Sequence, residues 1–159
     1  MRNSIQHFVD FRIIKLQESA KRFSKDPQDI AGFVNAVKEE ALQFALDFIG
    51  EVFTTCNDVL RDSSVRRQTW EVVKTDKKNL TTSIGNVMYE KTLFKNKKTG
   101  RRRYLVDDAM EIDPHERISE DAVALMLEES VQTSYRKGEE TISIFDHISK
   151  EAVKDKLHA

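Results

Sequence analysis

Residues 95–103, KNKKTGRRR, place six basic side chains in nine positions: Lys95, Lys97, Lys98, Arg101, Arg102 and Arg103. That set is suited to recognition rather than reaction. Clustered cations attract phosphate through Coulomb forces and the release of counterions. A second group, Asp107, Asp108, Glu111, Asp113, His115 and Glu116, follows within a few residues. Carboxylates of this kind could hold divalent metal, but a two-metal centre needs acids converging on ions about 4 Å apart from separate elements. Here they share one short segment. Structural roles account for them better: Asp113-Pro114 reads as a helix cap, and Asp107 and Asp108 as caps or partners of the nearby arginines.

Other chemistries lack their residues. The four histidines, His7, His115, His147 and His158, show no zinc-ligand spacing, and one cysteine cannot complete a zinc finger. No phosphate-binding glycine loop or nucleophile elbow occurs. No catalytic site, metal or cofactor is expected in this chain.

The net charge of −1 conceals a sharp asymmetry. Residues 1–60 carry seven basic and nine acidic side chains, residues 61–104 thirteen and four, and residues 105–159 six and fourteen. The segment totals are −2, +9 and −8. A middle third of +9 either meets a polyanion or is neutralised by the acidic third of the same chain. With 159 residues, 39% hydrophobic and 33% charged, the chain can bury one core, or two small ones, while exposing much helical surface. Five Gly and two Pro argue against long disordered linkers. No apolar run approaches the roughly 20 residues of a membrane span. The first residues lack the apolar core of a signal peptide, and Cys56 has no disulfide partner, so a cytoplasmic location is expected.

The elements around these residues follow from periodicity. Ile5, Val9, Ile13, Leu16, Ala20 and Phe23 predict a helix over 2–24. Asp26-Pro27 then signals a second helix from 27 to about 60, with Phe33, Val37, Ala41, Phe44, Phe48, Val52 and Val59 as one stripe. Leu42, Ala45, Ile49 and Phe53 widen it. So broad a face must pack on the first helix or on a second copy of the chain. Cys56 reads as a small core residue.

After Arg67 the pattern becomes β-branched and aromatic. A strand over 69–73, a turn at 75–79, a strand over 81–94 with Gly85 as a bulge, a turn at 96–100 and a strand over 102–106 make a three-stranded antiparallel meander. Its last hairpin has the basic tip. Ile118-Ser119 and Ile148-Ser149 each give a helix-start signature. Helical segments at 122–131 and 135–145, a turn, and a terminal helix then outline a helix-turn-helix. The fold class expected is α+β in three regions: 1–65 helical, 66–113 basic β-meander, 114–159 helix-turn-helix-like. Lys150 and Lys154 flank the outward face of the final helix, which also turns Glu151 and Asp155 outward.

The ordered motifs resemble a known family. They are Trp70-Glu71-Val72-Val73, Thr82–Val87, Lys91–Gly100, Tyr104–Asp108, Glu116–Ser119, Thr133–Lys137 and Ile148-Ser149. In order and spacing they resemble the N-terminal region of bacterial insertion-sequence transposases of the ISLre type, over residues 66–158. The family pattern has Arg where Lys91 stands and commonly Gly where Glu111 stands. The resemblance implies binding to double-stranded DNA at the ends of a mobile element. In that family a ribonuclease-H-like catalytic domain follows this region, and it is expected to lie outside residues 1–159, separate encoding being one arrangement. The expected DNA-contacting set is Lys95, Lys97, Lys98, Arg101, Arg102, Arg103, Arg136, Lys137, Lys150 and Lys154. The alternative is a helical interaction module that dimerises through its N-terminal helices and carries a solvated basic loop. RNA binding is a weaker third, because the paired aromatic motifs of common RNA-binding sheets are missing.

Overall fold

The computed structural model describes residues 2–113 and 115–132. Mixed helix and sheet is what it contains, with one three-stranded antiparallel sheet. Of the helical region expected from residue 114 onward, the first helix is described. The later ones, and with them Arg136, Lys137, Lys150 and Lys154, lie outside the described residues.

The first apolar stripe forms α1 (Arg2–His7), a π-helical turn (Phe8–Arg12) and α2 (Ile13–Lys25) in unbroken succession. A π turn is wider than an α turn and shifts the phase of the face it carries. Ser4, Phe8 and Arg12, four residues apart, therefore face the next helix, while Ile5 and Val9 of the expected stripe are about half exposed. That next helix is α3 (Ile30–Asp62). Its cap is Asp29, whose Oδ1 accepts the Gly32 N–H at 2.9 Å, rather than the expected Asp26. Phe23 stacks on Phe33 at 4.8 Å and Phe8 meets Phe44 at 4.5 Å. The buried Arg12 guanidinium bridges Glu40 at 3.0 Å and Asp47 at 2.7 Å. Burial works against that charge, but the two carboxylates outweigh it and raise the Arg12 pKa.

The short α4 (Ser64–Thr69), capped by Ser63, turns the chain into β1 (Trp70–Thr82). β1 pairs with β2 (Gly85–Asn96), and β2 with β3 (Arg102–Tyr104), in the order β1-β2-β3. The turn expected at 75–79 is instead strand. Its polar residues Thr75, Lys77 and Asn79 take the exposed alternate positions, while Lys78 and Leu80 point inward. The hairpin closes at Ser83-Ile84, where Gly85 has φ 136°, so this glycine serves the turn and not a bulge. The irregularity lies between Val72 and Lys74. β3 stops at Tyr104, and α5 (Leu105–Ala109) begins at once, so the aspartates fall at a strand-to-helix boundary.

Helix α3 lies along the edge of β2 that β1 leaves open. Thr54 Oγ1 accepts the Glu90 N–H at 3.2 Å, and Asn57 Oδ1 accepts the Thr92 N–H at 2.7 Å. A Cβ on Gly50 would stand 2.4 Å from the Met88 carbonyl oxygen. Residues 50, 54 and 57 thus meet residues 88, 90 and 92, because one helical turn and two strand residues advance by similar lengths, roughly 5–7 Å. Leu46, Ile49 and Phe53 pack on Leu80, Val87 and Tyr89. Phe53 meets Tyr89 edge-on at 5.3 Å. Val59, from the expected packing stripe, is 67% exposed. Cys56, expected in the core, is exposed as well, because the adjacent Asn57 takes the sheet-facing position.

After α5, Glu111 has φ 55° and reverses the chain. Residues 117–119 then join the outer edge of β1: Thr81 N–H donates to the Arg117 carbonyl, and Ser119 N–H to the Thr81 carbonyl. Ser119 leads into α6 (Glu120–Gln132). Ile118, Ala122 and Met126 form a second small apolar cluster there.

Candidate nucleic-acid interface

The basic tip is built by local rules. Asn96 Oδ1 accepts from the N–H groups of Lys98 (3.0 Å) and Thr99 (2.9 Å), and its carbonyl from Gly100 N–H (2.9 Å). Gly100, at φ 71°, then turns the chain back so that Asn96 N–H donates to the Arg101 carbonyl. The loop is anchored to α4: Lys97 N–H donates to the Thr69 carbonyl at 2.9 Å, and Lys97 Nζ to the Arg67 carbonyl at 2.6 Å.

The six tip cations divide by partner. Lys95 pairs with Glu71 across the sheet at 3.3 Å, and Arg103 with Asp108 at 2.9 Å. Lys97 spends one donor on a helix-end carbonyl. Lys98, Arg101 and Arg102 are exposed and carry no ion pair among the described residues. In register, Arg102 stands opposite Lys95 and Arg103 opposite Phe94, so these two arginines occupy opposite sheet faces. The open charge is therefore Lys98, Arg101 and Arg102, with Lys97 beside them. Arg67 is exposed on α4, and its carbonyl holds Lys97. Arg66 has a structural place. It donates to the Leu60 and Trp70 carbonyls and lies 5.1 Å over the Phe94 ring.

The acidic cluster disperses. Asp107 is 1% exposed, with Lys91 Nζ 2.5 Å from one oxygen, and Lys78 Nζ 3.8 Å and Tyr89 OH 3.4 Å from the other. Asp108 turns to Arg103, and Glu116 accepts from Asp113 N–H. No group of three acids, histidines or cysteines among the described residues can hold a metal ion. Lys91 Nζ also sits 3.9 Å from the Tyr104 ring centroid, and Tyr104 OH donates to Asp76 at 2.6 Å. This buried polar centre was missed at the level of sequence. Its signal was present: Lys91 falls on the same strand phase as Tyr89 and Leu93, where a charge needs a partner.

No helix among the described residues is long and apolar enough to cross a membrane. No solved structure matches the chain. Among curated proteins, one UPF0236 protein of Caldanaerobacter subterraneus subsp. tengcongensis is 33% identical over 129 residues, covering 81% of this chain and 27% of that protein. Its name joins eleven locus designations. A second UPF0236 protein of that organism is 31% identical over 137 residues, covering 79% of this chain and 29% of its own length. The chain thus spans under a third of these relatives. The family model of UPF0236, described as an uncharacterised protein family, matches residues 25–158, and the chain belongs to that family.

Proposed function

We propose that this chain is the DNA-binding N-terminal portion of a transposase-like protein and that the basic hairpin tip holds the DNA backbone. The observation that carries this is the open charge at the tip. Lys98, Arg101 and Arg102 stand exposed at a tightly hydrogen-bonded turn and carry no ion pair among the described residues. Contacts of this sort position a duplex and read little sequence. The ordered motifs that resemble ISLre-type transposases support the same function. So does the relative named for eleven loci, since many copies in one genome are what a mobile element leaves behind.

The test is binding of the chain to labelled duplexes at low salt, comparing mobile-element ends with scrambled DNA. Tight, salt-sensitive binding that favours the ends supports the proposal. Absence of binding to any duplex at low salt removes it.

A second function is favoured by one observation. Phe11, Ile14, Ile30 and Val34 leave an apolar surface on the N-terminal helices, each more than half exposed. That suits a dimerisation or interaction module. Sedimentation separates the two: a stable dimer that ignores DNA supports the module alone.

A further inference from the structure

An open cleft of about 540 Å³ lies beside the buried polar centre, away from the hairpin tip. Lys78 and Lys91 form part of its wall, and Lys77, His115 and Arg117 stand around it. The centre holds two ammonium groups, Lys78 and Lys91, against one carboxylate, Asp107. Lys91 takes the close position. Lys78 Nζ is left 3.8 Å away, shut off from solvent and without a hydrogen-bond acceptor among the described residues. A buried ammonium with unused donors is costly unless an anion reaches it.

Charge around the cleft runs the same way. Asp76 is already engaged by Lys74 and by the Tyr104 hydroxyl. Glu116 accepts from a backbone N–H. Lys77 and Arg117 are exposed and carry no ion pair among the described residues. Among the described residues that line the cleft, Lys77, Lys78, Lys91 and Arg117 stand against Asp76 and Glu116, and with Asp107 behind them four cations meet three carboxylates.

The geometry points to this cleft as a site for a phosphate-class oxyanion, with Arg117 as the contacting donor and Lys78 as the charge beneath. The flexible four-carbon stem of Lys78 lets its ammonium turn from Asp107 toward the anion, while Lys91 continues to hold the carboxylate. Burial lowers the Lys78 pKa, against the pull of Asp107, and an anion in the cleft favours the charged form again. The site stands whether or not the hairpin tip meets DNA. Its phosphate has two possible sources, a diester of a nucleic-acid backbone or a free phosphate group.

The test uses inorganic phosphate and thermal unfolding of the full chain, with sodium chloride at matched ionic strength as the control. Phosphate well above its dissociation constant is expected to raise the wild-type midpoint by about 2–5 °C. Lys78→Met and Arg117→Gln each lose most of that rise, and a variant neutralised only at Arg101 and Arg102 retains it. Arg117→Gln guards against a packing artefact, because Arg117 is exposed and its backbone carbonyl, which holds Thr81 N–H, is kept. A second arm measures binding of a short duplex. A fall of about 3–10-fold in Lys78→Met and Arg117→Gln assigns the site to a diester, at the net worth of one ordinary hydrogen bond. Unchanged duplex binding with a lost phosphate response assigns it to a free phosphate group. No phosphate response in the wild type, or an equal response in both variants, overturns the site.

Discussion

Asn57 Oδ1 accepts the backbone N–H of Thr92 at 2.7 Å, and both residues are fully buried. A helix side chain here does the work of a neighbouring strand. With Thr54 on Glu90 and Gly50 against Met88, it closes the β2 edge along which α3 lies. Asn57→Ala leaves the Thr92 N–H buried and unpaired and is expected to cost about 2–4 kcal/mol in urea unfolding. Gly50→Ala should also destabilise. The helix-propensity gain of about 1 kcal/mol is outweighed by a Cβ driven into a carbonyl that cannot yield. A more stable Gly50→Ala variant would show that the helix does not seat on this edge.

Asp107 and Lys78 should respond oppositely to substitution. Asp107→Asn leaves two buried lysines without a counter-charge and is expected to cost about 3–5 kcal/mol. Lys78→Met removes the poorly placed cation and keeps the Lys91 pair, so it is expected to be neutral or stabilising by about 1 kcal/mol. Chemical denaturation of the two variants side by side checks the order.

Glu111 adopts φ 55°, a conformation that costs an L-residue roughly 1–2 kcal/mol relative to glycine. Glu111→Gly is expected to raise the unfolding midpoint, with a gain of about 0.5–1.5 kcal/mol after glycine's own entropy cost. Glycine is also the residue expected at this position from the family resemblance. A lower midpoint would mean that the side chain does something the backbone strain conceals.

Burial, and then the hydrogen bond to Asp76, push the Tyr104 phenol up to about 12. Burial raises the Tyr89 phenol as well. The folded state therefore holds protons that an unfolded tyrosine releases near pH 10, by the usual phenol value. The stability from this difference is complete below about pH 10 and is lost as pH rises toward about 12. Denaturation midpoints across that interval, with tyrosinate absorbance in parallel, are expected to fall in the wild type and to fall less in Tyr104→Phe.

What the sequence revealed was local. The glycine turn within the basic run, the helix start after Ser119 and the strand-to-helix change at Asp107-Asp108 each follow from a few adjacent residues. What it concealed was tertiary. Thr75–Asn79 reads as a turn because its polar residues look like loop residues, yet they form the wet side of a long strand. Thr54, Asn57 and Arg12 look like solvent-facing helix residues, and only the neighbouring element shows what they hold. The partners within the basic run divide the same way: Asp108 was legible as an arginine partner from its nearness, and it pairs with Arg103, whereas Glu71 reaches Lys95 only across the sheet.

The central claim is that Lys98, Arg101 and Arg102 touch DNA phosphates. The most direct measurement is the salt dependence of duplex affinity for the wild type and for Lys98→Gln/Arg101→Gln/Arg102→Gln. Each phosphate contact contributes about 0.9 to the slope of log affinity against log salt, so the variant should lose about 2–3 units of slope and at least about tenfold in affinity. Equal slopes and equal affinities in the two proteins would contradict it.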